Sequence, residues 1–141
     1  MKTIFGLIAA ALVLTSAPAF AQKEPGGVPF GAGLQRGVMS INNSGQNGFV
    51  TLFEHGNTTR VVTALEGTLP GRIQTVALQR GHTCDAIVPG IVARSADMVH
   101  GISKGMLAMP QSRLLSGNYL IVVYSNNTPA GRPVACGQLY Q

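Results

Sequence analysis

The chain has 141 residues, of which 45% are apolar and 11% charged, with a formal net charge of +5. That length supports one hydrophobic core and not two domains. The arginines are spread from Arg36 to Arg132 without a run and there is no Trp, so the charge implies weak attraction to anionic surfaces and argues against nucleic-acid binding.

The N-terminus is expected to be a secretory signal. Met1-Lys2 makes a positive start, residues 4–14 form an apolar run broken only by Gly6, and Ala19-Phe20-Ala21 has the small-x-small pattern of a cleavage site. The run is too short to cross a bilayer, and no other segment approaches the roughly 18 apolar residues required. The sequence therefore predicts an exported protein, periplasmic or secreted, with residues 1–21 removed and no membrane span in the mature chain. Residues 22–37, rich in Gly and Pro, are expected to be a flexible N-terminal segment ahead of one domain over 38–141.

From residue 38 onward, short β-branched and aromatic runs alternate with turn chemistry. Residues 38–41 lead into Asn42-Asn43-Ser44-Gly45, 49–53 into His55-Gly56-Asn57, and 61–65 into Gly67 and Leu69-Pro70-Gly71. Residues 73–78 end at Gly81, 90–93 form a short run, 119–124 end in Ser125-Asn126-Asn127, and 133–140 close the chain. This spacing predicts an all-β fold, a Greek-key sandwich or barrel of seven to eight antiparallel strands. No long window after the signal keeps a helical stripe free of Gly or Pro.

The two cysteines, Cys84 and Cys136, have only each other as partners, and an exported chain meets oxidising conditions. A disulfide between them would stabilise the fold by about 4 kcal/mol in the chain-entropy model. There is no CxxC, so redox exchange is not expected.

Catalytic signals are sparse. Gly101-Ile102-Ser103-Lys104-Gly105 matches GxSxG, but that motif needs a strand-to-helix turn on an α/β-hydrolase sheet, and a loop serine is the plainer reading of Ser103. The carboxylate pairs Asp85/Asp97 and Glu54/Glu66 have nothing further to recommend them for glycoside chemistry. Met98 and His100 are two apart and would share a face of a strand, with Met106 and Met109 close behind, a soft donor set suited to copper. The plainer reading is that the methionines fill a core short of aromatic residues.

Several pieces of the second half occur in a suggestive order. Gly81-His82-Thr83-Cys84 follows an alternating strand, then come Gly90-Ile91-Val92, His100-Gly101-Ile102-Ser103, Leu115-Ser116-Gly117-Asn118-Tyr119, and finally Val134-Ala135-Cys136-Gly137. This order resembles the copper/zinc superoxide dismutase-like β-sandwich superfamily, and the related chordin-type domains, over residues 40–139. In that family a cysteine just after the metal-binding strand is bridged to one in an Ala-Cys-Gly motif, and Cys84 and Cys136 match both positions.

The resemblance marks a degenerate member. Where the family carries a His-x-His pair, Val76 and Leu78 keep the inward apolar phase and the outward positions are Ala77 and Gln79. Tyr124 stands where a further ligand histidine ends the long strand, and the zinc loop has shrunk to 85–89 without a His. His82 lies beside Cys84, and Arg132 sits one residue further from Cys136 than the family's substrate-guiding Arg. The resemblance therefore implies the scaffold without its copper or zinc, and hence a non-catalytic binding or structural module. Ala77, Gln79, Tyr124, His82 and Arg132 are the candidate binding face, for a protein partner. The alternatives are a periplasmic copper-binding protein using Met98, His100, Met106 and Met109, and an enzyme with an unrecognised site.

Overall fold

The structure is a computed structural model that describes residues 31–140; the expected signal and residues 22–30 of the N-terminal segment lie outside it. Its elements in chain order are β1 (Leu34–Ser40), β2 (Asn47–His55), β3 (Thr58–Glu66), β4 (Ile73–Gln74), β5 (Val76–Arg80), β6 (Ile91–Arg94), β7 (Met98–Val99), β8 (Ile102–Leu107), α1 (Gln111–Ser116), β9 (Tyr119–Tyr124) and β10 (Pro133–Gln138). The strands form one curled antiparallel sheet, a half-barrel, in the order β4-β7-β8-β3-β2-β1-β10-β9-β5-β6. The non-sequential neighbours are β4–β7, β3–β8, β1–β10 and β5–β9, the last three being Greek-key crossovers.

The alternation of side chains along each strand builds the core. Val38, Val50, Leu52, Val61, Leu65, Val76, Leu78, Ile121 and Val123 point into the curl and are buried. β1 turns the corner between the two halves: its first five residues pair with β2, and Met39 and Ser40 pair with β10. The strand begins at Leu34, inside the segment that composition marks as flexible up to residue 37, because pairing with β2 overrides the local Gly-rich signal.

The ten strands exceed the seven to eight expected: the run 73–78 divides into β4 and β5 at Thr75, and β7 and β8 arise in the stretch that reads as a Met/His cluster and a loop serine. Val99 pairs with Ile102 across His100 and Gly101, whose φ angles of 51° and 76° make a two-residue hairpin turn of the type I′ kind. Both glycines of the GxSxG match have structural duties. Gly101 takes the left-handed turn position, and a side chain at Gly105 would run into Ser95 and Ala96, where the β6–β7 connection crosses β8. Ser103 is buried within β8 and donates to the Ala96 carbonyl, which leaves no exposed nucleophile.

A second departure is α1. Pro110 precedes its first residue with φ −66°, Gly117 ends it, and its single turn and a half inserts fully buried Leu114 into the core. Gln111 Nε2 ties it to the Leu52 carbonyl at 3.2 Å. Six residues are too few to produce the periodic stripe by which a helix is recognised.

The Cys84–Cys136 disulfide is formed, with the Cα atoms 5.8 Å apart and the cysteines separated by 52 positions in the sequence. It joins the turn after β5 to the middle of β10. Replacing both cysteines by Ala should lower unfolding stability by about 2–5 kcal/mol, measured by urea denaturation. Leu114→Ala should cost about 2–5 kcal/mol in the same assay, because the helix cannot collapse into the space left behind.

Candidate functional site

β9 is buried on both faces, and this shapes the region singled out by the sequence. Tyr119, Ile121 and Val123 face the main core, while Leu120 and Val122 face outward with Cys136. The outward set is covered by Ile41, Cys84, Ile87 and Tyr124. The cover is the 81–90 connection, tied down by the disulfide and by a Val88 N–H bond to the Arg80 carbonyl of 2.9 Å.

Ala77 and Gln79 point away from the main core, as the alternation of β5 requires, with Ala77 opposite Val122 and Gln79 opposite Leu120. They do not form an open face. Ala77 is fully buried and Gln79 is 2% exposed. The physical reason is the loop cover: Gln79 Nε2 donates to the Val88 carbonyl at 3.4 Å, beneath the connection.

Tyr124, half-buried at the end of β9, donates its hydroxyl hydrogen bond to Gln79 Oε1. Two residues from different strands thus satisfy each other, as buried polar groups must. Beside them lies a hollow of about 210 Å³ lined by Thr75, Ile91, Arg94, Tyr124, Thr128 and Gly131. Arg94 stands opposite Ala77 in the β5–β6 ladder, and its Nη1 reaches Thr75 Oγ1 at 3.4 Å. Arg94 was missed in the sequence because β6 is short and gives no register; only its pairing with β5 brings the guanidinium to this place.

The remaining candidates separate. Arg132 adjoins the hollow, exposed, its backbone paired with Ser125. His82 lies at the other end of β9: Arg80 pairs with Tyr119, so five residues, about 17 Å of strand, divide it from Tyr124. There its ring stacks on Tyr140 at 4.9 Å between centroids, and Nδ1 is 3.3 Å from Asn118 Oδ1. It belongs to a surface contact and not to the Tyr124 cleft.

The Met/His set is not assembled either. Met98 is in the core on the inner face, whereas Met106 is 45% exposed on the outer one. Met109 packs against the core, and His100 occupies the exposed hairpin turn instead of continuing the strand beyond Met98. The turn breaks the two-residue phase that would put Met98 and His100 on one face. Ala77, Gln79 and Tyr124 do not fit a copper centre: a methyl group, an amide and a phenol already bonded to that amide replace the imidazoles such a metal needs. Among the described residues, no three His, Cys, Asp or Glu side chains gather as a metal-holding group.

Also unannounced in the sequence is a buried pair of glutamines. Gln74 Nε2 donates to Gln46 Oε1 at 2.8 Å and to the Tyr124 carbonyl at 2.9 Å, linking the β1–β2 turn to the cleft end of β9. Comparison with known proteins gave no matching family model, curated protein or solved structure.

Removing the Tyr124 hydroxyl strands Gln79 Oε1 under the loop. Tyr124→Phe should therefore lower stability by about 1–3 kcal/mol, and adding Gln79→Leu should recover part of the loss. Denaturant titration of both singles and the double decides it; a neutral Tyr124→Phe would show that the bond carries no weight.

Proposed function

We propose that the protein is an exported, non-catalytic binding module on a superoxide dismutase-like scaffold whose metal positions have been refilled. The observation that carries this reading is the Tyr124–Gln79 hydrogen bond, which occupies two of the positions the resemblance assigns to ligand histidines. The Greek-key order and a disulfide from the turn after β5 to the Ala-Cys-Gly strand are in keeping with the scaffold. A copper-handling role draws no support from Met98, His100, Met106 and Met109: Met98 and Met106 face opposite sides of the sheet, His100 sits in a turn and Met109 lies beyond β8.

Contact with a partner falls to what remains open around Tyr124. The Thr128 and Tyr124 hydroxyls already donate to Asn126 and Gln79, which leaves the Arg94 guanidinium and the Thr75 hydroxyl as donors in the same hollow. That combination suits a carboxylate on a protein partner, since guanidinium and carboxylate can pair through two hydrogen bonds. Ala77 and Gln79 do not line the hollow; Gln79 contributes by holding the Tyr124 hydroxyl in place.

Isothermal titration with Cu(I), Cu(II) and Zn(II) tests the loss of the metal site. The expected result is no stoichiometric binding, and no dismutation of superoxide that follows added metal. Tight binding of copper with activity that disappears on chelation would defeat the proposal.

A further inference from the structure

The other half of the sheet has an outer face with an unusual composition. Phe49 of β2 pairs with Ala64 of β3, Ala64 with Ile102 of β8, Ile102 with Val99 of β7, and Val99 with Ile73 of β4. Directly paired residues in an antiparallel sheet point to the same side. These five apolar side chains therefore make one lateral row across five strands. Phe49 is 54% exposed, Ile102 50%, Val99 46% and Ile73 43%. With strands about 4.8 Å apart, the row is about 19 Å long. Scattered exposed apolar residues are ordinary, but a contiguous row marks an interaction surface.

The rows on either side indicate the occupant. Glu66 lies two residues beyond Ala64 along β3, and Lys104 two residues beyond Ile102 along β8. Because β3 and β8 are antiparallel, the two charges fall on opposite sides of the apolar row. Both are exposed. A two-fold axis lying in this face, parallel to the row, would lay the row on its own copy and exchange the flanks. The Glu66 side of one molecule would then meet the Lys104 side of the other.

We propose that this face is the interface of a homodimer, with the Phe49–Ile73 row at its centre and Glu66–Lys104 pairs between copies along both edges. A surface that matches itself in both hydrophobicity and charge under one axis is what an isologous contact requires. A shallow groove of about 410 Å³ on the Glu66 side, bordered by Asn47, Gly48, Phe49 and His100, offers room for the incoming Lys104 side chain. The patch is small against a standard interface of about 800 Å² per partner, so a reversible dimer is expected and not a permanent one. The apolar row shares no residue with the lining of the Tyr124 hollow, and the proposal stands whether or not that hollow binds a partner.

Sedimentation velocity of the purified protein across a wide concentration range tests the proposal. The expected result is a reversible monomer–dimer equilibrium, weakened about tenfold or more by Ile102→Asp at the centre of the row. Glu66→Lys and Lys104→Glu should each weaken it as well, and the two together should restore it, since the charges exchange places. A monomer at every concentration overturns the proposal. So does a dimer indifferent to all three substitutions, or a double charge variant no better than the singles. If Ile102→Asp disturbs folding, as circular dichroism would reveal, the charge variants decide alone.

Discussion

The structure depends on β9 being buried on both faces. A strand at the rim of a small barrel can leave its outer side to water, but Leu120 and Val122 cannot be left there without exposing a strip of apolar surface. The chain covers them with its own 81–90 connection, and the Cys84–Cys136 bridge fastens that cover to the neighbouring strand β10. The disulfide thus holds a second, small core in place besides restricting the unfolded chain.

That cover determines what the molecule can present to others. It closes over Ala77 and Gln79, so the outer side of β5 becomes an interior whose polar atoms need internal partners. The bonds from Tyr124 to Gln79 and from Gln79 to the Val88 carbonyl meet that need. Only the end of β9 stays accessible, where Tyr124, Arg94 and Thr75 border a modest hollow. A phenol bonded to a buried amide is a rigid, satisfied pair, suited to holding a binding surface in shape and unsuited to coordinating a metal.

The two halves of the sheet manage their outer faces in opposite ways. The β5–β9–β10 half uses a connection and a disulfide to hide Leu120 and Val122. Among the described residues the β2–β3–β8 half shows no such cover, and two of its hairpins are tight: His55–Thr58 and Val99–Ile102 each enclose two residues. A two-residue turn leaves no spare chain at those hairpins to fold back over the sheet. Among the described residues nothing covers Phe49, Ile102, Val99 and Ile73, and the proposed contact between molecules would remove them from water.

Much of this was legible in the sequence. Runs of β-branched residues between Gly, Asn and Pro determine an all-β chain with antiparallel neighbours, because strand propensity and turn geometry are local properties. The pairing of Cys84 with Cys136 follows from there being only two cysteines. The inward phase of Val76 and Leu78 follows from alternation alone. Other features were decided only by tertiary structure. His100 turns a corner in place of extending a strand, α1 is too short to show a period, and Arg94 reaches Tyr124 solely through the register of β6 on β5. Above all, alternation states which way Ala77 and Gln79 point but not what lies over them. Burial of an outward face depends on how the following connection folds back and is fastened by Cys136, 52 positions away, and no local pattern of residues encodes that.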